Sequence, residues 1–535
     1  GCSCQLVIGA GNDIRWLVGN SSGNVGIGTT NPDIAVTSGN TKKLSVGIVS
    51  AYKFYGDGSN LTGISGGGGS GFEPDSQGNL YAGCCAGQAS DSDTCCNVAI
   101  GYKAAYSNCQ GNTNVSIGFC AAYSNLSGAC NVSLGQFAGC RYGCASGTNN
   151  NNISIGQHAG SGRPSGAHNI FLGNYAGRND TGQTGNYNIG FGYIVLGGVG
   201  NHSHNIAMGS QSAADLTDGC YNIVLGQHAA KEMTTGSSNI AIGCCVMAEG
   251  ITTGSYNISM GNDAACKLTS GACNVNIGYH AGKNLTTGGD NVSIGRCAGG
   301  GVNSKTGCKN INIGYHAGMQ MSSASNNIFI GNATGCLGTI TGGVNIALGY
   351  QSMMQLTSGV GNVAMGYNAL ECVASGGYNV AFGHSAGRVI TGSNNVGIGC
   401  FASFSVTGSD NVSLGTWSGR GLYSGGNCNI LIGKCVSAPI VGGNSQLVIG
   451  NYIMADSTHR VWLTGNANFN VGIGTTNPDP AVGVGNTAKL SVGIVSAYQL
   501  YGDGSNLTGI SAGFSPDSQE NLYAGTSAGA ASDAD

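Results

Sequence analysis

Charge is what this chain has least of. Only 8% of its 535 residues are Asp, Glu, Lys or Arg, 23 acids against 19 bases for a net charge of −4. The bases form no run, which argues against a nucleic-acid partner and against electrostatic membrane binding. No apolar stretch reaches about 18 residues, so nothing spans a bilayer as a helix. Acids are too few and too scattered for the paired carboxylates of a glycoside hydrolase. There is no nucleophile elbow, phosphate loop or clustered metal motif, so neither catalysis nor a cofactor is expected. Proline is also scarce, at 7 residues, while glycine reaches 99. No Gly-X-Y period exists, which excludes collagen, and Val and Ile recur in register, which excludes disorder.

That register is the main content of the sequence. Residues 274–290 read NVNIGYHAGKNLTTGGD, and the pattern recurs from Asn97 to Asn429, mostly every 17 residues with a scatter of 16 to 21. Self-similarity at a short fixed period marks a solenoid, in which each unit stacks on its neighbours because it cannot bury its apolar face alone. Counting from the Asn, position +1 is Val or Ile, as in Val275, and +3 is Ile, Leu, Met or Phe, as in Ile277. Position +2 is usually Ala, Ser, Asn or Gly. The alternation predicts a short strand whose +1 and +3 side chains form the buried face, at roughly 1.5–3 kcal/mol apiece before entropy is subtracted. Gly278 and its counterparts at +4 predict a tight corner, with positive φ or close backbone approach. Small residues at +7, such as Ala281, predict a second strand or bend packed against the first. The Asn column, Asn274 included, reads as a stacked amide ladder at a turn. The rival is glycosylation at the sequons of Asn114, Asn131, Asn152, Asn257, Asn291 and Asn411, or at the looser loop sites Asn125, Asn179, Asn201, Asn284 and Asn332.

Cysteine, at 23 residues, implies an oxidising, extracellular setting. Cys85, Cys120 and Cys297 share position +6, while Cys96 and Cys130 share −1. Pairs such as Cys120 with Cys130 are candidates to bridge a rung, and Cys308 is a further candidate staple; connectivity stays open.

In chain order, residues 1–20 read as the end of a preceding solenoid and a cap, and 21–75 as a spacer carrying NVGIGTTNP and YGDGSNLTG. Residues 76–450 form a ladder of about twenty rungs, 451–469 a cap or junction, 470–515 the repeated spacer, and 516–535 the start of the next solenoid. The spacer returns at an offset of 446, so the chain reads as a window on a longer one. Trp16 and Trp462 occupy equivalent places beside the two ladder ends, where a cap would cover exposed core.

The rung NVxIGxxAG resembles the β-roll head repeats of trimeric autotransporter adhesins and the arrays of phage tail fibres. NVGIGTTNP with KLSV, and YGDGSNLTGI, resemble segments of phage and marine-virus tail fibres. The resemblance implies an elongated homotrimer used for projection and attachment, its Val and Ile strands facing a shared or individual core.

Metal binding is weakly signalled. His280, Cys297 and His316 fall at +6 on three consecutive rungs, close enough for neighbours to share an ion. Asp91 with Asp93, repeated as Asp533 and Asp535, and Asp57 and Asp503 in YGDG read as turn residues before cation ligands. The expectation is therefore an all-β, Gly-rich solenoid about 95 Å long at roughly 4.8 Å per rung. It serves as a structural segment of an extracellular or virion-surface fibre, self-associating as a homotrimer or head to tail. The alternative is a receptor- or glycan-binding adhesin, with loops 141–151 and 178–187 as its best candidates.

Overall fold

A computed structural model of the chain describes residues 74–140, 149–162, 166–179, 185–301, 304–453, 458–466 and 470–473. It also describes short strands at 6–9, 15–19, 25–27, 44–46, 490–492, 515–516 and 522–523. Two compact units divide the chain, Gly1–Glu73 and Pro74–Asp535. In the first, Leu6–Gly9, Arg15–Gly19 and Val25–Ile27 pair antiparallel in turn, and Leu44–Val46 joins Val25–Ile27 in parallel.

The second unit holds the ladder. From Leu80–Ala82 to Leu447–Ile453, each rung contributes one short strand that pairs in parallel with the next, making a β-solenoid of about 21 turns. No rung slips: Val275 faces Val292, Asn276 faces Ser293 and Ile277 faces Ile294. Among the described residues there is no α-helix, and only one 3₁₀ turn, at Leu422–Ser424. Of the predicted second strand or bend, the bend is the rule and the strand the exception. Past the corner each rung is a string of turns, and parallel pairing on that side is sporadic, as in Val389–Ile390 with Ser405–Val406.

Turns can replace strands because backbone bonding between rungs runs around the circumference. In rung 274–290, Val275 N donates to Asn291 O above, Gly278 N to Met260 O below, His280 N to Asn262 O below and Gly282 N to Ala298 O above, all at 2.7–3.0 Å. The corner is as predicted: Gly278 has φ +129°, and a Cβ there would sit 2.7 Å from Gly295 O. Residues with side chains also enter the left-handed region, His280 at φ 57° and Cys273 at φ 59°. That conformation costs roughly 1–2 kcal/mol each, and the inter-rung bonds offset it.

The strand's facing reverses the expectation. The middle residue at +2 is buried in rung after rung, while +1 and +3 are half-buried or exposed: Asn276 is inside, Val275 and Ile277 outside. The core is instead built from +2, +7, +8 and +11, for example Ala364, Ala369, Leu370 and Val373. Small residues predominate at +2 and +7 because the rung is thin, with Phe171 and Phe329 among the bulky exceptions at +2.

Volume is traded between +2 and +8 within one rung. Where +2 is Ala or Gly, +8 is often large: Ala241 with Met247, Ala347 with Met353, Gly190 with Leu196. Where +2 is Phe or Asn, +8 is Gly. A Cβ on Gly177 would lie 2.4 Å from the Phe171 ring, and one on Gly282 would meet the Asn276 amide. Interiors are close-packed, so neither position is free to grow alone.

The far end is not capped by tryptophan. Trp462 is 63% exposed; the side chain of Trp16, on strand Arg15–Gly19, lies outside the described residues. What ends the parallel stack is a reversal: Leu447–Ile453 pairs antiparallel with Thr458–Gly465, which pairs antiparallel with Val471–Ile473. Val448 and Thr464, opposite each other in that pairing, are buried, and Trp462 is left on the outer side.

Candidate interaction face

The outward columns at +1 and +3 form one apolar surface along the ladder. Met208, Ile223, Met260, Ile330, Met365, Ile398 and Ile430 are each 36–42% exposed, and their column neighbours are half-buried. Not one rung from Leu80 to Ile449 places Thr, Lys, Glu or any other polar residue at these two positions. A strand face bathed in water ordinarily alternates to polar side chains, and Thr satisfies strand propensity as well as Val does. Strand geometry alone therefore does not explain the columns. Tyrosines border the strands at −1 and +5, including Tyr221 at 62%, Tyr256 at 67% and Tyr367 at 47% exposure. Several stack along the ladder, as in His168, Tyr187, His204 and Tyr221, with centroids 4.7–4.9 Å apart.

Behind this face the asparagine column is an amide ladder. Asn274 Oδ1 accepts from Asn291 N and Nδ2 at 3.0 and 3.1 Å. Its own N and Nδ2 donate to Asn257 Oδ1 at 3.0 Å, and Nδ2 also donates to Gly288 O at 3.0 Å. Asn276 is one of few column neighbours left with an unpartnered buried oxygen. At the lower end Asp75 stands in for a missing rung, accepting from Asn79 N at 2.8 Å and Nδ2 at 3.1 Å. At the upper end Gln446 N donates to Asn429 Oδ1 at 2.8 Å, while its side-chain amide turns back to Ile440 and Gly443. The same bonding disposes of glycosylation on this column. The Nδ2 of Asn114, Asn131, Asn152, Asn257, Asn291 and Asn411 is committed to a backbone carbonyl in every case. Of the loop sequons, Asn125, Asn179 and Asn284 are buried, and only Asn201 and Asn332 are exposed.

The metal candidates do not converge. His280 Nε2 lies 3.0 Å from Asp263 Oδ2, which Lys283 Nζ also meets at 3.1 Å, so an ammonium already serves that carboxylate. The rings of His280 and His316 stack on their own neighbours Tyr279 and Tyr315, at 3.7 and 3.8 Å. Burial, with help from Arg296, pushes the His316 pKa below its ordinary value. Cys297 sits half-buried between them, and among the described residues no three His, Cys, Asp or Glu side chains are placed to hold an ion. Asp91 caps its own turn, accepting from Asp93 N at 3.0 Å; Asp57, Asp503, Asp533 and Asp535 lie outside the described residues.

Nineteen of the twenty described cysteines, all but Cys140, are free thiols. No two occupy the same position on adjacent rungs, so no cysteine stacks directly on another along the ladder. Cys120 is buried at +6, whereas exposed Cys130 at −1 has its Sγ 3.1 Å from Thr113 Oγ1. Cys85 lies 3.3 Å from its chain neighbour Cys84, Cys96 is exposed, and Cys308 Sγ accepts from Gly289 N at 3.3 Å. Burial pushes the Cys140 thiol up to about 11 and Cys266 up to about 12, away from the thiolate that exchange and metal binding need.

Sequence reasoning missed Lys305. It is 4% exposed, its Nζ donates to Met319 O at 2.7 Å and Met321 O at 2.5 Å, and desolvation pushes its pKa down to about 7. Its only advance signal was a lysine inside one of the longer rungs. Loop residues 141–148 and 180–184 lie outside the described residues, and no described helix is long and apolar enough to cross a membrane. Compared with protein-family models, with curated proteins and with solved structures, the chain matches none.

Proposed function

We propose that this chain is a shaft segment of a long extracellular or virion-surface fibre, built by copies that pack side by side through the Val/Ile face. Its work is mechanical, setting reach and stiffness, and it involves no catalysis. The observation that supports the reading is the unbroken apolar character of the +1 and +3 columns. Twenty-odd strands at about 4.8 Å spacing, each about 10 Å long, present roughly 1,000 Å². A specific interface buries about 800 Å² per partner, and soluble monomers rarely expose contiguous apolar patches beyond a few hundred Å². A homotrimer brings three such faces onto one axis, in keeping with the adhesin-like and tail-fibre-like motifs of the sequence.

Light scattering of the full chain, with and without reductant, tests the proposal. Three chains per particle in both conditions is the expected result. A single-chain mass sinks self-association and leaves an isolated solenoid. The double variant Ile223→Lys with Met260→Lys, both on the outer face, should release single chains that keep their β circular dichroism.

A further inference from the structure

Position +9 varies along the ladder and is Gly only twice, at Gly197 and at Gly300, where a Cβ would lie 2.0 Å from His280 O. Rung 188–204 reads NIGFGYIVLGGVGNHSH. At position +9 the rungs below and above carry Arg178 and Ala214; here the residue is Gly197. Nothing in the backbone asks for glycine at that point. Its φ lies outside the left-handed region, and a Cβ would meet nothing nearer than Ala214 O at 3.4 Å, an ordinary contact. Its neighbour Gly198 is a true packing glycine, where a Cβ would lie 2.3 Å from Leu216 O. What Gly197 supplies is space.

That space is a cleft of about 500 Å³ spanning three consecutive rungs, lined by Tyr175, Arg178, Asn179, Tyr193, Val199 and Asp215 among others. Its size falls within the range of small-ligand sites. The rings of Tyr175 and Tyr193 meet at 85° with centroids 6.3 Å apart, making an aromatic corner. The Arg178 guanidinium lies over the Tyr175 ring at 5.0 Å, Tyr193 is 46% exposed, and Val199 is 52% exposed. The polar groups are the Arg178 guanidinium, the exposed carboxylate of Asp215 and the hydroxyls of Tyr175 and Tyr193, while the buried Asn179 amide donates to Gly198 O at 3.3 Å. They supply donors and acceptors together with no net charge, so neither a polyanion nor a cation is favoured. The matching ligand has an apolar C–H face edged by hydroxyls.

We propose that this cleft binds a pyranose unit of a neutral glycan, its C–H face against the negative face of Tyr193 and its hydroxyls directed to Asp215 and Arg178. The site is complete within one chain and does not depend on the fibre assembly. It gives the glycan-binding alternative a location on the shaft.

Saturation-transfer NMR on the intact chain, with cellobiose, lactose, chitobiose and mannobiose as probes, is the test. Transfer to the ring C–H protons of at least one is expected. Gly197→Val, which fills the cleft, and Tyr193→Ala should each weaken binding roughly tenfold or more, about 1.4 kcal/mol, with the melting curve unchanged. Absence of transfer to all four sugars overturns the proposal, as does undiminished binding to Gly197→Val. Should Gly197→Val fail to fold, Asp215→Asn on the exposed carboxylate carries the test, and retained affinity there overturns it equally.

Discussion

Two stretches of the same ladder differ inside and agree outside. In the rungs of 345–378 the interior is Ala347, Met353, Leu356, Ala364, Leu370 and Val373, all fully buried. Between 276 and 312 it contains Asn276, Ser293, Lys305 and Asn312, also buried. One apolar cluster ends at Leu285 and the next begins at Ala317. Yet both stretches keep the parallel register, and the Asn345 to Asn362 bonds of 3.0 and 3.1 Å repeat those of Asn274 to Asn291. The rung is therefore specified by hydrogen bonding around its circumference. The interior sets how stable each stretch is.

The largest effect should come from the shared feature. Asn291→Ala in the polar seam and Asn362→Ala in the apolar stretch each remove the acceptor for two N–H donors and the donor to Gly307 O or Gly376 O. At roughly 1–3 kcal/mol per buried group left unpaired, each should cost ~3–6 kcal/mol. Because repeat arrays need not unfold in one step, native-state hydrogen exchange of the flanking rungs is the measurement. A loss confined to one of the two variants would break the comparison.

Leu356→Ala should cost about 2–5 kcal/mol by opening a cavity, whereas Ser293→Ala in the seam should cost about 1 kcal/mol or less. Urea midpoints of the two variants distinguish them, and equal losses would mean the seam is packed as tightly as the apolar stretch.

Lys305→Met sharpens the contrast further. With the folded pKa lowered to about 7 from 10.5, the unfolded chain binds the extra proton between those values, so folding stability rises with pH across that window. The contribution is full above about 10.5 and falls as pH drops through 7. The methionine variant should melt higher than the native chain at pH 7 and below, with the difference closing toward pH 10. Comparing the two chains cancels the thiols, whose raised values act in the opposite direction above pH 9. A constant difference across that range would contradict a buried ammonium.

The smallest effect is at the ladder's start. The Asn79 backbone N–H holds the Asp75 carboxyl below its ordinary 3.8. Its contribution is present above that value and lost as pH falls through the lower folded one. Hydrogen exchange of rung 79–96 should accelerate in acid, and Asp75→Asn should remove the pH dependence without reaching rungs farther along.

Much of the fold was legible in residues 274–290 alone. The 17-residue spacing gives the rung, Gly278 the corner, and Asn274 the amide ladder, because each is a local demand repeated until no other explanation fits. The facing of the strand was not legible. Alternation shows that Val275 and Ile277 share a side and Asn276 the other, but not which side is inside; apolarity pointed the wrong way. The hint was the small residue at +7, which marks an interior so narrow that a large +2 residue such as Phe171 is matched by Gly at +8. His280, Cys297 and His316 do not converge because equal position is not convergence: His280 turns to Asp263 and Tyr279, and His316 to Tyr315. The cleft beside Gly197 was hidden for the opposite reason, since one glycine among 99 carries no signal until its surroundings show that glycine was not required.

The sequence by itself determined period, register, corners and the amide column, since these follow from backbone conformation and from identical neighbours stacking at a fixed spacing. Only the tertiary structure decided which strand face is buried, which cysteines stay apart, and where a lysine or a missing side chain changes the interior. Those depend on the width of the rung and on contacts between rungs, and a thin solenoid has room for one narrow core, leaving its largest apolar columns outside.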